Sequence, residues 1–447
     1  MPENILIREQ KWAPRIDHLW MMIILASILF FASLVPLLPN DFWWHLKVGE
    51  IIVTTRSVPA TNMFGWTLAQ DQPFIYGAWF GEVLLYLLYR AGGMGLVTFA
   101  RTALLGLTWA AIGLEAKRRS GSWRLAAISV LLGFAMMSSN VTVRPQIWSW
   151  LPFAAYFFLL NGYTANQLNR NWLFLCPALM LFWVNAHGAF VLGAVLLGIF
   201  ITAEALRQIF TKVSSRSWQK VRWLAIIIFL TLLAMLVNPQ GPGIFGYVAN
   251  LMTDQPSQKY IMEWQSPTPE GVANTVFFLS VLIFVVLCWY LCHSPKLEDV
   301  ILFSGFLWLA WSGVRYVIWF AFVATPMLAE LGLLLLGDKS TLATRVGRRN
   351  VINVIITILV FVPVLLVQPW LVEGIQLPLP ETYWDLVHSN TTHGPFVSVN
   401  TPIDAADYLR INPGKKMFNE MGYGSYFIWA LPDTGVFIDP RVELYPL

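Results

Sequence analysis

Asp41 stands just past a long apolar stretch, 18–38, in the run Pro39-Asn40-Asp41-Phe42-Trp43-Trp44-His45. That stretch is long enough to cross a bilayer, so it sets a carboxylate at the membrane surface beside two Trp. An acid at that depth is costly to keep partly desolvated and is a functional candidate by default. His45 follows by one helical turn and shares a face with Asp41; its imidazole can bind a phosphate or tune the acid. Glu263, in a later loop on the same side, supplies a second carboxylate. Arg144, followed by Pro145 and Gln146, and Arg315 sit at the same ends of predicted spans, and guanidinium forks match phosphate oxygens. His187 closes an apolar run at Asn185-Ala186-His187-Gly188. Asp41, Glu263, His45 and His187 are also residue types that hold a metal such as Mg or Mn, although their spacing does not demand one.

Each residue has a plainer reading. Asp41 suits the N-cap of a helix over 42–55. Glu263 is then a solvated loop acid or a partner of Lys259. The histidines are satisfied structural groups, and the arginines anchor to headgroups. Glu82, with Trp79 and Tyr86 at helical spacing, either lines an acceptor groove or faces water. Arg101, inside a span, is a further phosphate-binding candidate. Gly422 and Gly424 read as turn glycines, since a lone Gly-x-Gly is weak evidence for a phosphate loop.

The elements that position these groups are membrane helices. The chain is 57% hydrophobic and 12% charged, half the charge of an ordinary soluble domain. Its 22 Trp suit many interfacial positions. The net charge of +4 gives nucleic-acid binding no support. Cys176, Cys288 and Cys292 all lie in apolar stretches and form no disulfide or metal framework. The composition predicts an all-α polytopic membrane protein with about 11 transmembrane helices. The expected spans are 18–38, 96–116, 124–140, 146–161, 172–185, 188–209, 221–238, 272–292, 299–312, 314–336 and 350–370.

Basic clusters orient them. Lys117, Arg118, Arg119 and Arg124, Arg216 to Arg222, and Arg345 to Arg349 fall on the cytoplasmic side when the N-terminus is cytoplasmic. Residues 78–92 must then not cross, or every later loop would flip; they and 42–55 read as helices lying on the outer surface. The transmembrane domain spans 1–371, with outer loops 39–95 and 239–271. From 372 to 447 a polar segment leads to expected strands at 416–418, 426–429 and 436–438, the start of a small extracytoplasmic α/β domain. Its stop just after a strand suggests a truncated domain. No internal repeat is visible.

Several motifs resemble a bacterial branch of the GT-C class of membrane glycosyltransferases, related to protein O-mannosyltransferases and the lipid A aminoarabinose transferase. They are Asp41-Phe42-Trp43-Trp44-His45-Leu46-Lys47-Val48-Gly49, Trp79 with Glu82, Arg144-Pro145-Gln146, Trp183-Val184-Asn185-Ala186-His187-Gly188, Asn238-Pro239, Glu263-Trp264-Gln265-Ser266-Pro267, and Phe437-Ile438-Asp439-Pro440-Arg441 with Glu443 and Tyr445. The resemblance implies a multi-pass protein of the cytoplasmic (inner) membrane. It would move a sugar from a polyprenyl-phosphate donor to an envelope glycan, lipid or protein acceptor on the outer face, with inversion. Asp41 would be the base and Glu263 a second acid. Trp44, His45, Glu82, Arg144, Gln146, His187 and Arg315 would bind substrate, and a divalent metal on Asp41 and Glu263 is possible. Many GT-C loops carry two adjacent acids after the first span, whereas Asp41 stands alone.

Two alternatives stay open. A transporter or flippase would carry acids or broken helices near the midplane, often in two related halves; Glu115 and Glu204 fall near span ends instead. A non-catalytic scaffold subunit would dock partners through the outer domain.

Overall fold

The computed structural model describes residues 14–69, 71–210, 216–254, 258–259, 261–337, 350–368, 397–414 and 416–445. The expected polar segment at 372–396 and the basic cluster at 345–349 lie outside these. The described residues are helical almost throughout. The helices are α1 (Ile16–Leu34), α2 (Phe42–Thr55), α3 (Trp79–Ser120), α4 (Trp123–Met137), α5 (Ile147–Thr164), α6 (Leu175–Ala186), α7 (Val191–Phe210) and α8 (Arg216–Met235). They continue with α9 (Gly243–Met252), α10 (Gly271–Tyr290), α11 (Leu297–Ser312), α12 (Val317–Leu336), α13 (Asn350–Leu366), α14 (Ile403–Ile411) and α15 (Met421–Ala430). Six stretches are long and apolar enough to cross a membrane: α1, α3, α8, α10, and α7 and α12 with their leading turns. The molecule is a multi-pass membrane protein. Five of the eleven expected spans correspond to helices outside these six: α4, α5, α6, α11 and α13.

At the centre is α12. Every residue from Val317 to Ala329 is buried, as a helix apolar on all sides requires, and α3, α4 and α11 pack around it. Arg315 sits just before this rigid helix.

Two of the expected outer helices form. α2 is the predicted helix over 42–55. α3 contains both the expected surface helix and the span at 96–116, divided at Gly92 and Gly93, where Gly93 has φ +60° and ψ −158°, a conformation open only to glycine. α2 lies on the first part of α3. A Cβ on Gly49 would come within 2.2 Å of the Glu82 carbonyl, so only glycine permits this approach.

The far end of α3 meets a charged network. Arg119 contacts Glu115 at 3.1 Å, Asp299 at 2.9 Å and Glu330 at 3.3 Å, and donates to Asn161. Arg207 pairs with Glu204 and Glu298. Glu115 and Glu204 are therefore bound to neighbouring arginines, and the network ties α3, α5, α7, α11 and α12 at the basic end.

The C-terminal segment departs from expectation. Residues 426–429 are not a strand: they lie in α15, and Gly422 and Gly424 are helical rather than turn glycines. Lys416 and Val436 form isolated bridges, to Gly435 and Gly65. The aromatic run that suggests a strand is satisfied as a buried helix face, because tertiary packing overrides local β preference. Tyr426 meets Trp43 edge-on at 4.9 Å, and the Ser425 hydroxyl accepts from the Trp44 backbone N–H at 3.0 Å.

Gly49→Val is expected to destabilise the protein by roughly 1–3 kcal/mol through overpacking, read as a lower melting temperature in detergent. Gly198→Ala, whose Cβ meets nothing within 4 Å, leaves the melting temperature unchanged.

Candidate active site

A cavity of about 750 Å³ opens at the end of the bundle away from the charged network. All nine side chains that the sequence singles out as catalytic or substrate-binding line it: Asp41, Trp44, His45, Glu82, Arg144, Gln146, His187, Glu263 and Arg315. Arg101 does not. Its buried guanidinium donates to the carbonyls of Ala32 and Val35 and holds the C-terminal end of α1.

Asp41 does occupy the N-cap position of α2, yet its side chain makes no cap hydrogen bond. It faces Arg144 instead, with Oδ2 3.3 Å from Nε. The other edge of the same guanidinium takes both oxygens of Glu263 in a bidentate pair. One cation therefore joins two acids from loops more than 200 residues apart. Burial pushes Asp41 above the usual carboxylate range, against the pull of Arg144. Burial also acts on Glu263, but the Arg144 hydrogen bonds and charge outweigh it and hold Glu263 below that range. Arg144 is held above its ordinary value, since Asp41 and Glu263 overcome the burial that opposes its charge. Two acids on one guanidinium thus have separated proton affinities, the pattern that assigns different roles to paired groups.

The histidines are tied elsewhere. His45 Nδ1 lies 2.7 Å from Glu82 Oε1, and its ring stacks on Trp44 at 3.6 Å. Burial, then the charges of His187, Arg144 and Arg441, hold His45 well below its usual range. His187 Nδ1 accepts from the Ala189 N–H at 3.2 Å and lies 2.9 Å from the Ser149 hydroxyl, which in turn accepts from the Trp183 indole. An accepting Nδ1 assigns the proton of the neutral ring to Nε2. Burial, Arg315 and Arg144 push His187 down to about 3, so it is a neutral donor in the cavity wall.

Arg315 differs from Arg144. Among the described residues no carboxylate oxygen lies within 4 Å of it; its guanidinium rests on the Trp264 ring at 4.4 Å. Of the two forks that the sequence offers for phosphate, Arg315 is thus the one without an ion pair among the described residues.

Sequence reasoning does not place Tyr76, Tyr247 or Glu420 in the site, although all three line the cavity. Arg441 and Glu443 also line it; their motif is visible in the sequence, but its partners are not. Arg441 pairs with Asp439 at 2.8 Å, both fully buried, and reaches Tyr76 and Asn62 of the first outer loop at 3.2 Å. Tyr445 donates to Asp439 at 2.8 Å. Burial raises the Glu443 carboxyl to about 7. The C-terminal segment is therefore part of the cavity wall.

The cavity also has an apolar arm. Val191, Leu192, Val195 and Ile199 of α7 and Phe306 and Leu309 of α11 line it. Val195 and Trp308 line it and are also exposed, so the arm is continuous with the outer apolar surface.

No family model and no curated protein matches the sequence. Solved structures do match. The archaeal oligosaccharyltransferase AglB of Archaeoglobus fulgidus, in complex with an inhibitory peptide and a dolichol-phosphate, aligns with a TM-score of 0.57 at 12% identity, over 95% of this chain and 64% of that one. The fold is that of the GT-C membrane glycosyltransferases. The crystal structure of the same organism's oligosaccharyltransferase in complex with Zn and sulfate gives 0.52 at 14% identity, over 94% and 62%. ArnT from Cupriavidus metallidurans, bound to undecaprenyl phosphate, gives 0.51 at 14% identity, over 96% and 87%. The chain thus spans less than two thirds of the archaeal enzyme.

His187 carries a pH signature. Its ordinary value is 6.5 and its folded value about 3, so between the two the unfolded chain binds more protons. Its contribution to stability falls as pH drops through that window. The melting temperature of wild type is expected to fall more steeply below pH 6.5 than that of His187→Asn, with the two curves parallel above it.

Proposed function

We propose that the protein is an inverting glycosyltransferase that moves a sugar from a polyprenyl-phosphate donor to a hydroxyl acceptor on the extracytoplasmic face. The observation that carries this reading is the junction of two chemistries in one cavity. An apolar part of the wall that reaches the exposed Val195 and Trp308 meets a polar chamber holding the partly buried Asp41 and Arg315, which has no ion pair among the described residues. The ligands of the GT-C neighbours, a dolichol-phosphate and undecaprenyl phosphate, support a lipid phosphate as donor.

The prenyl tail runs along α7 and α11, and the phosphate meets Arg315 and the Nε2–H of His187. Asp41, raised by burial above the usual carboxylate range, takes the proton of the acceptor hydroxyl. The acceptor oxygen forms its bond to the anomeric carbon from the face opposite the phosphate. The bond from that carbon to the phosphate oxygen breaks, and its electron pair leaves with the polyprenyl phosphate. Arg315 stabilises that charge, as a fixed donor does best in a site shielded from water. Glu263 holds Arg144, and Arg144 holds Asp41. His45 with Glu82 and Trp44 shapes the acceptor side, together with Gln146.

Asp41→Asn is expected to lower transfer by about 10²–10⁴-fold at normal protein level and unchanged fold, measured with a polyprenyl-phosphate sugar and membrane extract. Unchanged transfer would remove Asp41 as the base. Arg315→Ala is expected to weaken undecaprenyl phosphate binding with little change in melting temperature, with Arg315→Lys intermediate.

The same reading fixes the orientation. In a background lacking Cys176, Cys288 and Cys292, Glu270→Cys reacts with an impermeant thiol reagent added outside, and Ala343→Cys does not. Reversed labelling would place the cavity on the cytoplasmic face and exclude an extracytoplasmic acceptor.

A further inference from the structure

Two acids that flank a substrate cavity are a common setting for a divalent cation, which one or two carboxylates and water can hold. Here the space between Asp41 and Glu263 is filled by a side chain. Arg144 presents Nε to Asp41 at 3.3 Å and its terminal nitrogens to both oxygens of Glu263. Of the two histidines in the cavity, His45 is tied to Glu82 and His187 to Ser149 and the Ala189 N–H. Among the described residues no group of three His, Cys, Asp or Glu side chains gathers as a cation would need. The residues therefore do not fit a resident divalent metal.

We propose that Arg144 is a built-in cation that takes the place of a divalent metal between Asp41 and Glu263. A divalent ion would have to displace both edges of a planar fork, leaving a buried guanidinium unpaired. The fork does what a metal would do for the two acids. It cancels their mutual repulsion and fixes both orientations, but it cannot be removed by a chelator and does not exchange. It also leaves Asp41 facing its cation through one oxygen edge only, whereas Glu263 spends both oxygens. That asymmetry matches their opposite shifts. Its catalytic consequence rests on the transferase reading: the reaction then needs no added metal. The binding claim itself does not.

The test is Mn²⁺ binding, followed by the room-temperature electron paramagnetic resonance signal of the free ion with the full chain in detergent. Wild type is expected to bind no more Mn²⁺ than Asp41→Asn or Glu263→Gln. Arg144→Met, which clears the space and leaves both acids, is expected to gain one site per chain, lost again when Asp41→Asn is added. Arg144→Lys, which keeps a cation there, is expected to stay without the site. One Mn²⁺ per wild-type chain, lost in Asp41→Asn and Glu263→Gln, would overturn the proposal, whether or not Arg144→Met folds. A folded Arg144→Met with no gain would overturn it too, because the acids would then not form a cation pair. Failure of the transferase reading shows separately, as transfer unaffected by Asp41→Asn.

Discussion

One guanidinium shared by two carboxylates holds the cavity end of this molecule together. Arg144 precedes α5, Asp41 opens α2, and Glu263 lies in the loop before α10. None of these segments is fixed to the others by regular secondary structure. All three side chains are only partly buried, at 13%, 28% and 38% exposure for Arg144, Asp41 and Glu263, and their pairing offsets the cost of desolvating each charge. It also sorts the acids. Glu263, bound through both oxygens, is held below the usual carboxylate range by Arg144, and burial raises Asp41, bound at one edge, above it.

Around that triad the helices act as a frame with close tolerances. Gly49 brings α2 against the Glu82 carbonyl, and Gly81 would meet the Ala186 carbonyl at 2.4 Å if it carried a Cβ. The same contacts bring His45 to Glu82 and the end of α6 to the cavity. The Trp79 indole donates to Asn185 at 2.9 Å, and the Asn185 amide donates to the Val237 carbonyl at 2.8 Å, so α3, α6 and the segment after α8 are joined at one point. The C-terminal segment closes the chamber over the first outer loop through the buried Asp439–Arg441 pair. Cavity residues from Asn40 to Glu443 therefore come from almost the full length of the chain.

The opposite end shows how charge is handled when no cavity is needed. Arg119 meets Glu115, Asp299 and Glu330 within one network, and no guanidinium edge is left for a ligand. Arg315 is built the other way. It stands just before the central helix α12 and lines the chamber, supported by the Trp264 ring with no ion pair among the described residues.

The membrane class, the helical frame and the nine candidate side chains were all legible in the sequence. Hydrophobic runs and isolated charges beside them are local properties, and a charge that survives at the edge of an apolar span signals its own cost. That 78–92 and 96–116 are separate was expected from the sidedness of the basic clusters, whereas the break at Gly92 and Gly93 is seen only in the structure. The pairing of the candidate charges was not legible. Arg144 and Arg315 look alike along the chain, and only the tertiary structure decides that one is paired with two acids and the other, among the described residues, with none. Asp41 could be read as a cap, because its place at a helix start is local while the ion pair that draws its side chain away is not. The aromatic run at 426–429 reads as a strand until the face of α2 that buries it is known. Sequence by itself determined which polar groups flank the apolar helices, through the energetics of single residues in an apolar chain. Which of them touch was decided only by packing between distant segments.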